Sequence, residues 1–101
     1  MLKKYDLIVI GGGSGGVRAS RIASNHGAKV ALCEEDRMGG TCVIRGCIPK
    51  KLLFYAANFK KSFLNAKCYG WKISSYSNNL KKFMLAKDKE LKRLENIYTA
   101  N

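Results

Sequence analysis

A chain of 101 residues, 47% of them hydrophobic, can bury the core of one small domain and no more. Its 19 Lys+Arg against 7 Asp+Glu leave a net charge of +12, a balance that raises nucleic acid or an acidic partner as a binding target. The charge is spread along the chain, its later lysines alternate with apolar residues at helical spacing, and no nucleic-acid signature accompanies them, so a solvated helix face is expected and no nucleic acid. The short apolar run "LIVI" is bounded at once by Asp6 and Gly11, so no secretory signal is expected, and no stretch has the apolar length of a membrane span. A cytoplasmic chain without a membrane partner is the expectation.

Residues 5–10, "YDLIVI", predict a short buried parallel strand ending at glycine. "GGGSGG" (11–16) follows, then a helix over "VRASRIASNHG", with Gly27 suited to its C-terminal end. "AKVALCE" (28–34) predicts a second strand. Residues 5–36 therefore read as a βαβ unit. A loop, "EDRMGGT", leads into a cysteine segment over 39–66, whose helix is expected from Pro49, a residue tolerated in a first turn. "KCYGWKISSYSNN" reads as irregular. Over 79–100, Leu80, Met84, Leu91, Leu94 and Tyr98 recur at helical spacing and predict a long amphipathic helix. Lys87 falls on its seam, so packing against its own domain is expected in place of a coiled coil. Two strands leave both sheet edges open, and the chain reads as the opening part of something longer.

Gly11, Gly13 and Gly16 fit G-x-G-x-x-G between a strand and a helix. In that pattern the first glycine permits the tight turn, the second lets a pyrophosphate approach the backbone, and the third lets the helix lie against the strand. The helix N-terminus then offers unpaired N–H groups to phosphate. Glu34, 18 residues after Gly16, ends the second strand near the spacing of a ribose-binding carboxylate. Glu35 and Asp36 are its competitors. The pattern predicts an adenine dinucleotide and does not separate FAD from NAD.

Cys42 and Cys47 admit four readings: a zinc site, two unrelated thiols, a structural disulfide or a redox-active disulfide. Zinc lacks further ligands at suitable spacing, since His26 is the one histidine, and no metal is expected. The position of Cys47 just before a helix start, with Lys50 and Lys51 close by, predicts a depressed thiol pKa and favours the redox reading. Gly46 is expected to keep the intervening loop flexible enough for the sulfurs to meet.

"GGGSGG", then "CEEDRMGGTCVIRGCIPKK" at this offset, with "YGW" and "LKRLENIY" beyond, resembles the class I pyridine nucleotide–disulfide oxidoreductases, and most closely the branch that reduces glutathione disulfide. The resemblance implies an α/β fold: the N-terminal part of a Rossmann-like FAD-binding domain, followed by a redox-active helix and a long amphipathic helix. It implies FAD held by Gly11, Gly13, Ser14, Gly15 and Gly16, with Glu34 on the ribose, Thr41 and Cys42 against the cofactor and Lys50 near the flavin. It implies NADPH as co-substrate, glutathione disulfide as substrate and a homodimer. Cys47 would be the charge-transfer thiol and Cys42 the interchange thiol. Lys50 separates this branch from relatives with serine there, whereas Ile44–Arg45 departs from the commoner Asn–Val. Cys33 and Cys68 match no motif and are expected to be structural, and His26 reads as an ordinary exposed residue. The NADPH and dimerisation domains of such enzymes are not expected within these residues, nor activity from them alone. A thioredoxin- or trypanothione-type reductase and a non-catalytic dinucleotide-binding module are the alternatives.

Overall fold

The computed structural model describes residues 2–100. Strand β1 (Leu7–Ile10) leads through the glycine turn to helix α1 (Ser14–Asn25), and strand β2 (Val30–Cys33) follows. The β-branched Ile8, Val9 and Ile10 suit the pleat of β1. The strands pair in parallel, Leu7 against Val30 through Ile10 against Cys33, and α1 packs on both. Asp6 clips the open end of the pair: its N–H donates to the Lys29 carbonyl at 2.8 Å, and its carboxylate accepts the Lys29 N–H at 2.7 Å. Helix α1 stops where Gly27 takes φ +93°. The N–H groups of Gly27 and Ala28 turn back to the carbonyls of Ser24 and Ala23, the Schellman arrangement that glycine permits.

The strands are where the apolar runs place them, but β1 is not buried. Ile8 is 62% and Ile10 89% exposed. Only one helix covers this sheet, so the face away from α1 meets water.

The segment after β2 also differs from expectation. Residues read as a loop between the cysteines form a short helix, α2 (Gly40–Arg45), and the next helix, α3 (Cys47–Asn65), starts at Cys47, two residues before Pro49. Pro49 remains within the first turn, where an N–H has no intrahelical partner to lose. A 3-10 turn (Ala66–Tyr69) ends α3, and helix α4 (Leu80–Ala100) starts where Asn79 Oδ1 accepts the Lys82 N–H at 3.0 Å. The far half of α4 packs against α2, as expected of a helix serving its own domain. Val17, Val43 and Leu91 are the buried hydrophobic side chains among the described residues.

This is an α/β arrangement with a parallel pair of strands, and it is elongated, 69 × 26 × 17 Å with a radius of gyration of 20.2 Å. A compact chain of this length would have about 13 Å. Phe54, Phe59, Leu64 and Trp71 lie exposed on the protruding part.

Candidate functional site

The carboxyl ends of β1 and β2 lie side by side, because Ile10 pairs with Cys33 and the Gly11 N–H continues the ladder to the Cys33 carbonyl at 2.8 Å. Gly11 then turns at φ +109°, which a side chain would strain. Gly16 sits so close to this turn that a Cβ would overlap the Gly11 carbonyl oxygen. Helix α1 therefore starts directly at the end of β1, with its N-terminus at the carboxyl end of the strand. That terminus has no side-chain cap and no acid in its first turn, and Ser14 and Gly15 are exposed. Its free N–H groups and partial positive charge suit a phosphate.

Beside the turn, Ile10, Gly11, Leu32, Cys33, Glu34 and Glu35 line a cleft of about 590 Å3. Glu34 Oε2 accepts the Gly12 N–H at 2.5 Å, and Oε1 accepts the Asp36 N–H at 3.3 Å. The three neighbouring acids thus divide. Glu34 and Glu35 line the cleft, whereas Asp36 pairs with Arg45. The turn left open, the uncapped helix and the carboxylate at the strand end together fit a dinucleotide's pyrophosphate and ribose.

Sequence reasoning missed the seam that joins this turn to the cysteines. The Gly39 N–H donates to the Gly12 carbonyl at 2.8 Å. A Cβ on Gly40 would lie 2.8 Å from Gly13 Cα, and one on Gly12 would lie 2.6 Å from Met38 Sδ. Gly40 is needed for close backbone approach, Gly39 at φ +102° leaves room for the Val43 side chain, and Met38 covers Gly12. The signal was present as two consecutive glycines directly before Thr41.

Helix α2 starts on that seam, so Thr41 and Cys42 stand in its first turn beside the glycine turn. Cys42 is half-buried and Cys47 exposed. Gly46 separates the two helices, but it is not a flexible spacer. A Cβ there would lie 2.7 Å from the Thr41 carbonyl oxygen and 3.2 Å from Cys42 Cα, so glycine is required for α3 to begin against α2. That approach brings the Cys42 and Cys47 thiols close enough to perturb one another.

The expected depression of the Cys47 pKa is not found. The hydrogen bond with Cys42, then withdrawal from water and the charge of Cys42, push the Cys47 thiol up. The backbone and Lys50, one helical turn further along α3, pull the other way and are outweighed. Cys33 and Cys68 are both exposed and fill no core. His26 is exposed at the opposite end of α1 from the glycine turn, with Nδ1 2.8 Å from the Ile22 carbonyl oxygen.

A parallel βαβ unit with a glycine turn at its strand ends, followed by a cysteine on each of the next two helices, has the form of a nucleotide-binding fold. Residues 5–99 match the family model of pyridine nucleotide-disulphide oxidoreductases, and the chain belongs to that family. It is 56% identical over 94 residues to a glutathione reductase of Burkholderia cepacia, covering 93% of this chain and 21% of that protein. It is 50% identical over 94 residues to a glutathione reductase of a Nostoc species, with 93% and 20% covered. Against the chloroplastic/mitochondrial glutathione reductase of Pisum sativum, identity is 48% over 105 residues, with 93% and 19% covered. The chain spans about a fifth of the length of these curated relatives.

Proposed function

We propose that this chain is the opening part of the FAD-binding domain of an NADPH-dependent glutathione-disulfide reductase, a flavoenzyme that maintains thiol redox homeostasis. The observation that carries this reading is the close approach of α2 and α3 at Gly46, which brings Cys42 and Cys47 together beside the glycine turn. The relatives' names support the substrate. The unit over 5–36 would bind the cofactor, 39–66 would carry the redox pair, and 79–100 would brace it.

Gly11, Gly13, Ser14, Gly15 and Gly16 would hold the pyrophosphate of FAD, and Glu34 would accept from its ribose. Thr41, Cys42 and Lys50 would face the rest of the cofactor, which would also cover the exposed Cys47. FAD, when bound, supplies reducing equivalents drawn from NADPH. The chain's own sulfurs then do the exchange. A Cys42 thiolate attacks one sulfur of glutathione disulfide; that S–S bond breaks, and the first glutathione leaves and takes up a proton. Cys47 next attacks Cys42 sulfur, releases the second glutathione and leaves a Cys42–Cys47 disulfide. Two electrons pass from the dithiol to the substrate. The active protein would be a cytoplasmic homodimer. Among the described residues, no helix is long and apolar enough to cross a membrane.

The test uses a flavin-loaded protein carrying this segment. Cys42→Ser and Cys47→Ser should each abolish glutathione disulfide reduction while FAD is retained. Cys42→Ser, with Cys47 left alone, should show a long-wavelength thiolate–flavin absorption band. Full activity in either variant, or flavin loss in Cys42→Ser, overturns the assignment.

A further inference from the structure

Every charged residue from Arg37 to Lys87 is a cation. The first of them finds its counter-charge on the far side of the chain, in α4. Arg37 Nε lies 2.9 Å and Nη2 2.5 Å from the same oxygen, Glu95 Oε2. The Glu95 side chain is only 13% exposed, so this is not a loose surface pair. Lys92 Nζ approaches its other oxygen at 3.6 Å. Both partners respond: Arg37 holds Glu95 below the usual carboxylate range, and Glu95 raises Arg37.

The backbone of Arg37 is a junction as well. Its carbonyl accepts the N–H of Gly40, the first residue of α2, at 3.3 Å, and Gly39 beside it is bonded to Gly12. Cys42 stands two residues further on. Leu91, one turn before Glu95 on the same face of α4, and Val43, next to Cys42 on α2, are both buried, and the two helices touch. A continuous set of contacts therefore runs from Glu95 through Arg37 to the first turn of the helix that carries Cys42.

We propose that Glu95 and Arg37 are positioning residues for the redox pair: their ion pair fixes the start of α2 against α4 and so holds Cys42 where it meets Cys47. This rests on the reading of the two cysteines as an exchanging couple. Neither residue touches a sulfur. Their effect is on how readily the two sulfurs reach bonding geometry, which has tight limits.

The experiment equilibrates the reduced 101-residue chain with glutathione and glutathione disulfide. In this exchange the Cys42–Cys47 dithiol is oxidised to a disulfide while one glutathione disulfide is reduced to two glutathiones. The disulfide fraction is read by alkylation and peptide mass spectrometry. Glu95→Leu and Arg37→Leu should each lower the equilibrium constant about tenfold, equivalent to about 30 mV for a two-electron couple. Glu95→Gln, which keeps the shape and one acceptor, should fall between these and the parent. The double variant Arg37→Glu/Glu95→Arg should recover part of the loss, because the ion pair returns while Lys92 then faces a like charge. Alkylation of Cys33 and the far-ultraviolet circular dichroism should stay constant. If Glu95→Leu unfolds the chain, Glu95→Gln and the double variant decide. Parent-like constants in the single variants, or no recovery in a folded double variant, overturn the positioning role alone. If the parent itself forms no Cys42–Cys47 disulfide, the redox reading fails and takes this proposal with it.

Discussion

A thiol that opens a helix has its charge favoured by the dipole, and Cys47 occupies such a place, yet its pKa is raised because its nearest partner is another thiol. The protonated form is the one favoured in the fold. Its stabilisation is complete at low pH and is lost as pH rises through the raised value. Cys47 should therefore alkylate slowly at neutral pH and speed up only in alkali. Cys42→Ala removes the largest cause and should accelerate Cys47 alkylation severalfold at neutral pH, whereas Lys50→Met removes an opposing charge and should slow it further. Equal rates in all three proteins would contradict the contact. Gly16 gives a second test at this scale. Its missing Cβ is what lets α1 meet the turn, so Gly16→Ala must push the helix off the strand end. Overpacking of this kind costs about 1–3 kcal/mol. The urea midpoint should fall, and flavin retention with it in any flavin-loaded protein. An unchanged midpoint would mean that the turn relaxes freely.

Helix α4 depends on its start as well as its packed end. Asn79 caps it through the Lys82 N–H, and the first turns beyond carry exposed Leu80 and Leu85, with little packing to compensate. Asn79→Ala should lower helix content and cost about 1 kcal/mol, by circular dichroism and denaturant titration, with Asn79→Asp close to neutral. The elements that the sequence made legible are those with a repeating signal: the apolar runs of β1 and β2, the glycine pattern before α1, the helical spacing of α4. Helix α2 had no such signal. Its six residues include one glycine and one cysteine and follow another glycine, a composition that reads as loop. It holds its shape through contacts from outside itself, chiefly Gly40 against Gly13 and Gly39 on the Gly12 carbonyl. Gly46 misled for a related reason. Glycine permits flexibility and also close approach, and only the position of the Thr41 carbonyl tells which is in use. The pairing of Arg37 with Glu95 spans 58 residues and no local pattern announces it. Burial of β1 failed because an apolar run records what a strand could bury and not what covers it here.

At the scale of the molecule, the glycine turn, the two cysteines and the half of α4 around Leu91 form one body, and α3 runs out from it with the beginning of α4. Along that extension Phe63 packs at a tilt against Tyr76, ring centroids 5.3 Å apart, while Phe54, Tyr69 and Trp71 face water among lysines. Trp71 is the only tryptophan, 70% exposed, in the stretch between the 3-10 turn and α4. The protein therefore carries its own optical gauge on an exposed part of the extension. In dilute solution the indole should emit at the long wavelength of a hydrated ring. Iodide should quench it more efficiently than caesium, because the neighbouring Lys72 and the overall positive charge concentrate anions there. A blue-shifted emission that resists iodide would mean that the extension is already shielded, and the concentration at which the shift appears would measure how strongly.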